Sequence, residues 1–222
     1  MKIQGFLDQL LKTAQQSAGG LGDAAGVKSG ADFGKGALAG GALGLLLGNR
    51  KARKMGSKVA VYGGLAAVGV LAYKAYGDWK KQQGGADAAV APRTVDALPA
   101  PEAESHSQAI LKALIAAAKA DGHVDERERE VIEGEFSRLD AAPEVRQWLQ
   151  AELQKPLDPA EVASAATSPE MASEMYLASL LAADEKNFME RAYLDELARQ
   201  LKLDDSLKAR LEQQVKDAGD AV

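Results

Sequence analysis

A chain of 222 residues without cysteine has room for one ordinary domain and a further segment, and it can build neither a disulfide framework nor a thiolate nucleophile or metal site. Its net charge of −5 conceals two unlike parts: residues 1–85 carry 12 Lys and Arg against 4 Asp and Glu, and residues 86–222 carry 15 against 28. Because 19 of the 22 glycines fall in the first part, the composition points to a basic, membrane- or polyanion-facing arm joined to an acidic globular part.

Residues 1–16, "MKIQGFLDQLLKTAQQ", place Ile3, Phe6, Leu7, Leu10, Leu11 and Ala14 on one helix face, the spacing of a short amphipathic helix. Gln4, Asp8, Gln9 and Lys12 interrupt any apolar core and no small-residue cleavage site follows, so the stretch makes a poor signal peptide. Such a helix can lie in a membrane interface or dock on another protein segment.

Residues 17–81 read as a glycine-rich, membrane-associated segment. Glycine recurs every fourth residue at Gly22, Gly26, Gly30 and Gly34, and after a two-residue phase shift at Gly36, Gly40, Gly44 and Gly48. In water each such glycine weakens a helix by about 0.8 to 1 kcal/mol relative to alanine. In a bilayer small residues let helices approach closely, so this glycine zipper is expected to drive self-association. Two apolar runs, 36–48 and 59–76, bracket the basic cluster "NRKARKMGSK". As helices they would span roughly 20 Å and 27 Å against a hydrocarbon core near 30 Å, so only the second approaches a full crossing. The first would be a re-entrant or tilted partner, packing its Gly36, Gly40 and Gly44 face against Gly63, Gly64 or Gly69. Tyr62, Tyr73, Tyr76 and Trp79 suit the interface and Lys74, Lys80 and Lys81 can snorkel. Arg50, Lys51, Arg53, Lys54 and Lys58 belong on the cytoplasmic side. A single span would send the C-terminal part outward, and so would a hairpin with that cluster at its tip, whereas a re-entrant pair would leave everything cytoplasmic. Flanking apolar glycine-rich runs and an acidic downstream part argue against nucleic acid.

Residues 82–104 hold Pro92, Pro99 and Pro101 among alanines and read as a flexible linker. From Ser105 to residue 219 the pattern is helical throughout. Ile110, Leu111, Leu114, Ile115 and Ala118 form one apolar face, and Val131, Ile132, Phe136 and Leu139 the next. Asp158 with Pro159 and Glu161, Ser168 with Pro169, and Asn187 with Glu190 are helix-start signals. Trp148 and Leu149 are expected in the core. With no period-two alternation, the fold class is all-α, a compact acidic domain of about seven helices.

The domain echoes itself. Residues 119–132, "AKADGHVDEREREVI" from its second residue on, are matched at an offset of 62 by "LAADEKNFMERAYL", with Glu128, Arg129, Val131 and Ile132 falling on Glu190, Arg191, Tyr193 and Leu194. Two helix hairpins packed as a pseudo-symmetric pair would bring both acidic turns to comparable positions. These two stretches resemble the TerB-like (tellurite-resistance TerB) superfamily over residues 105–219, and the glycine-rich arm is similar in character to its YebE-type inner-membrane branch. The resemblance implies an all-helical fold, an acidic site for a divalent cation, no established enzyme activity and a part in membrane-linked stress responses. By motif, the metal-ligating positions it implies are Asp121, Asp125, Glu128, Asp184 and Glu190.

The residues themselves leave alternatives. An EF-hand beginning at Asp121 would need glycine sixth and glutamate twelfth, where Glu126 and Ile132 stand, so that loop is excluded. A looser oxygen site for Ca²⁺ or Mg²⁺ remains. Capping explains Asp125 and Glu128 without a ligand, but not Asp121 or Asp184, each at a helix end that disfavours negative charge. His123 reads as an exposed loop residue, and His106 lies at the linker boundary. No nucleophile-elbow sequence, paired histidines or phosphate-cradling loop is present, so no enzyme activity is expected. The sequence thus points to a protein of the bacterial inner (cytoplasmic) membrane, anchored and self-associating through its arm, whose acidic domain binds a partner protein or a divalent cation. A soluble or peripheral cation sensor, with the arm as a loose tether, is the alternative.

Overall fold

The computed structural model describes residues 3–5, 7, 65–82, 98–120, 142–183 and 187–220. Helices are the regular elements among them: α1 (Leu65–Gln82), α2 (Ala100–Ala118), α3 (Pro143–Gln154), α4 (Pro159–Ala163), α5 (Pro169–Ala182), α6 (Phe188–Gln200) and α7 (Asp205–Asp220). Residues 3–5 and 7 are helical as well. The all-α expectation is met over these residues.

The organisation follows from α5. Its sequence is apolar on every side, and every residue from Met171 to Ala182 is buried, as a helix without a polar face requires. Cover comes from α2, α1, α7 and α6. Beside α2, His106 meets Glu174 and the Ser179 hydroxyl faces the Ala113 carbonyl, so α2 and α5 run parallel. At the end of α1, Tyr76 faces Glu170 in the first turn of α5, and Trp79 reaches Asp204 and Ser206 at the start of α7. With its buried residues lying before Tyr76, α1 runs antiparallel to α5 and α7. The short α4 and α3 pack against α2.

The place of α1 corrects the hydropathy reading of 59–76 from Leu65 onward. Val68, Ala72 and Ala75 are buried, Trp79 packs at the rim, and Val70 is 53 % exposed. Spacings of four, three and four put the small and apolar residues on one stripe, and that stripe is spent on α5 and α7 rather than on lipid. Among the described residues no helix is long and apolar enough to cross a membrane. The run 36–48 and Gly36, Gly40, Gly44, Gly48, Gly63 and Gly64 lie outside the described residues.

Local signals behave as their chemistry dictates. Asp158, Ser168 and Asn187 cap α4, α5 and α6, accepting from the amides of Ala160 (2.9 Å), Met171 (3.1 Å) and Met189 (2.9 Å). Helix α2 starts at Ala100, five residues ahead of Ser105, because Pro101 fits the first turn, where its missing N–H costs nothing, and Glu102 complements the dipole. Helix α6 ends in a Schellman motif: Leu203 N–H donates to Ala198 O and Lys202 N–H to Arg199 O, with Lys202 at φ 56°.

Candidate functional site

Of the acidic residues singled out by sequence, Asp121, Asp125, Glu128 and Asp184 lie outside the described residues, as does His123. Glu190 stands half-buried in the first turn of α6. The helices leading to Asp121 and Asp184, α2 and α5, are parallel neighbours and stop at Ala118 and Ala182, so the two echoing stretches begin at the same end of the bundle. Among the described residues no group of three or more His, Asp or Glu side chains could hold a metal ion.

What the structure does assemble is a pair of joints holding the two flanks of the glycine-rich segment. At the N-terminus, Ile3 and Leu7 are fully buried. The amides of Ile3 and Gln4 donate to the two carboxylate oxygens of Glu104 in α2, at 2.6 and 3.1 Å. Amides in the first turn of a helix have no intrahelical acceptor, and a carboxylate is their natural partner. Of the two expectations for this helix, docking on protein is the one observed.

The second joint is the C-terminal half of α1. Trp79 donates its indole N–H to Ser206 Oγ (2.9 Å) and Asp204 Oδ1 (3.2 Å). Tyr76 stacks obliquely on it at 5.6 Å between ring centres. Asp204 is held below the usual aspartate range chiefly by the Ser206 hydroxyl and amide, with Trp79 adding to them. Burial pushes the Tyr76 phenol up, and the neighbouring Glu170 carboxylate adds to the rise. Both aromatic rings, read from sequence as interface anchors, serve the protein's own core.

Between these joints several ionisable groups of the body are paired with one another or with helix carbonyls. His106 Nδ1 lies 2.7 Å from Glu174 Oε2, with side chains 12 % and 4 % exposed. Lys112 donates to Glu161 Oε1 (2.7 Å) and its carbonyl (3.2 Å), tying α2 to α4. Lys119 donates to the carbonyls of Glu152 and Lys155 where α3 ends, a cationic cap at the negative end of a helix. Lys155 in turn pairs with Glu152 and Glu161. These contacts have electrostatic signatures. Glu161 is lowered, first by the Lys112 hydrogen bond. Lys155 is raised, first by Glu152. Lys119 is lowered because burial outweighs its acidic neighbours. Burial likewise pushes the Tyr193 phenol up, opposed by the nearby Ser179 hydroxyl.

Sequence reasoning passed over this network. His106 looked like a linker residue because α2 was placed too late, and Glu174 sits in a stretch otherwise read only for its apolar residues. A buried glutamate flanked by Ser173 and Met175 on a helix apolar all round was the available signal, since an isolated carboxylate there requires a partner.

Residues 32–215 match the family described as "Protein of unknown function (DUF533)". The chain is also 32 % identical over 110 residues to an "Uncharacterized protein in ampR 5′region" of Yersinia enterocolitica, an alignment covering 50 % of this chain and 79 % of that protein. No solved structure matches. The family match runs from within the glycine-rich segment through α1 into α7. On this match the chain belongs to the DUF533 family, itself TerB-like.

Proposed function

We propose that this chain is a non-catalytic, membrane-associated scaffold: a rigid acidic helical body that presents a basic glycine-rich segment to a bilayer and offers its own surface to a partner protein. The observation that carries the reading is the internal pairing of the body's charges. His106, Glu174, Lys112, Lys119, Glu152 and Glu161 are joined to one another or to helix carbonyls, an arrangement that fixes helices in register and leaves these groups engaged rather than poised for proton transfer. Support for the membrane comes from the apolar run 36–48 beside five Lys and Arg. That composition favours an anionic, cytoplasmic-leaflet surface of a bacterial inner membrane. Self-association through Gly36, Gly40, Gly44 and Gly48, and a part in an envelope stress response of the YebE type, belong to the same reading. Phe188, 83 % exposed, and Met189, 53 % exposed, stand at the start of α6 immediately after the second acidic turn, where aromatic and thioether side chains could anchor a partner. An alkaline wash of membranes from producing cells tests the proposal: retention in the pellet is expected, and full release would refute membrane association.

A second reading, a divalent-cation sensor, is favoured by the parallel packing of α2 and α5, whose C-terminal ends, Ala118 and Ala182, lie at the same end of the bundle and lead in sequence to Asp121 and Asp184. Calorimetric titration of the whole protein with Ca²⁺ and Mg²⁺ should give heat that Asp121→Ala abolishes; a flat trace for the unaltered protein removes this reading.

A further inference from the structure

We infer that the outward stripe of α1, Val70, Lys74 and Lys81 with Lys80 at its flank, is the face by which the acidic body rests on an anionic lipid surface, peripherally and without crossing it. The inference deepens the membrane-associated reading above and rests on it.

Two stripes run along α1 at the same spacing of four, three and four. Val68, Ala72, Ala75 and Trp79 form the inner one, which packs on α5 and α7. Val70, Lys74, Gly77 and Lys81 form the outer one. Two residues further along the helix, it is turned about 200° from the first. Val70 is 53 % exposed, and Lys74, Lys80 and Lys81 are exposed with it. A valine standing in water on the far side of a packed helix contributes nothing to the core of the body. Followed by lysines at one helical spacing, it has the composition of an interfacial helix: the apolar side chain enters the headgroup layer, the lysine stems lie along it, and the ammonium groups reach lipid phosphates.

Charge selects this face over the others. Helix α1 carries Lys74, Lys80 and Lys81 against Asp78 alone, while residues 86–222 carry 15 Lys and Arg against 28 Asp and Glu. Asp78 lies 3.9 Å from Lys81, with side chains 45 % and 64 % exposed, a pair too open to water to hold the lysine. The exposed residues of the other long helices mix their signs, Glu144 with Arg146 on α3, Asp195 with Arg199 on α6 and Lys216 with Asp217 on α7. Those faces offer an anionic bilayer no net attraction, whereas each lysine of α1 adds to it. Because the attraction fades over a Debye length, about 8 Å at physiological salt, it acts only when α1 itself faces the lipid.

Because the chain lacks cysteine, a single introduced thiol reports on one place. Val70→Cys, and Gln150→Cys on the exposed side of α3, are each labelled in the full-length protein with a polarity-sensitive dye. The labelled proteins are mixed with vesicles containing phosphatidylglycerol or with vesicles of phosphatidylcholine alone. On the anionic vesicles the emission from position 70 is expected to shift to the blue and its quenching by iodide to fall several-fold, while position 150 keeps its aqueous values. Adding Lys74→Gln, Lys80→Gln and Lys81→Gln to the Val70→Cys chain should return position 70 to water, each lysine being worth about fivefold in surface attachment. In protein that sediments with the anionic vesicles, an unchanged emission at position 70, an equal shift at position 150, or a shift that survives the three lysine changes or appears equally on phosphatidylcholine overturns the proposal. So does a blue shift at position 70 that grows with protein concentration in the absence of lipid, which makes a second copy the occupant of the face. Failure of the unaltered protein to sediment with either kind of vesicle overturns the membrane-associated reading itself.

Discussion

His106 Nδ1 lies 2.7 Å from Glu174 Oε2, across the interface between the parallel helices α2 and α5, whose buried residues are mostly apolar. An ion or hydrogen-bonded pair so enclosed adds little over apolar residues of equal volume, but loss of one member strands the other.

Glu174→Ala should therefore destabilise the protein by about 3 to 5 kcal/mol, while the double change His106→Leu with Glu174→Leu should recover most of that loss. Urea denaturation followed by circular dichroism measures both. A double variant no better than the single one would mean that the pair does more than satisfy itself.

Lys202 occupies the left-handed position that closes α6, where a side chain costs about 1 kcal/mol. Lys202→Gly is expected to raise the unfolding free energy by about that amount, visible as a higher Tm. An unchanged or lowered Tm would show that the lysine stem compensates the backbone.

Val70 and Ala72 separate the two accounts of α1. In the helical body Val70 is 53 % exposed and Ala72 is 1 % exposed, so Val70→Asp should leave folding and solubility unchanged and Ala72→Asp should abolish the cooperative transition, since an unpaired charge cannot be buried there. In a lipid-embedded helix both would be damaging. Expression yield and thermal unfolding of the two variants decide the matter.

The pH dependence of the α2–α4 joint follows from Glu161, whose carboxyl is held below the ordinary glutamate range, first by Lys112 and further by Lys155. A folded-state value below the unfolded one supplies stability that is present above the ordinary glutamate pKa, about 4.3, and lost as pH falls through the folded value. Lys112→Met should thus lower stability near neutrality and differ progressively less from the unaltered protein below about pH 4. The glutamate side chain is 42 % exposed, so the difference is small and shrinks with added salt.

Glu104→Ala should release residues 3–7 without unfolding the remainder, because it leaves the Ile3 and Gln4 amides without their acceptor. Limited proteolysis near Gly5 accelerates in that case, while the thermal transition of the body stays within a few degrees of its original position.

The sequence was legible where chemistry is local. Proline after an acceptor side chain announced the starts of α4 and α5, and Asn187 that of α6, because an N-cap needs only residues within three positions of itself. The all-helical class followed from periodicity alone. What could not be read was which surface an apolar stripe would find. Val68, Ala72 and Ala75 are compatible with lipid and with protein alike, and the choice was made by α5, a hundred residues later. Proline misled in the opposite sense at Pro99 and Pro101, where a helix start was read as linker. The joints of Glu104 with Ile3 and of His106 with Glu174 connect positions 101 and 68 residues apart, beyond the reach of any local pattern. The acidic residues Asp121, Asp125, Glu128 and Asp184 keep the chemistry their composition gives them.

The burial of α5 on every side also sets an order of events during synthesis. A ribosome releases α1 and α2 first, each with an apolar stripe whose intended cover is still unmade; that cover is complete only when Ala182 has emerged, more than sixty residues after α2 ends. Nascent chains in that interval carry two adhesive helices and nothing to close them upon, the condition in which hydrophobic segments recruit chaperones or aggregate. Truncation of the chain before Ala182 is therefore expected to leave both stripes uncovered.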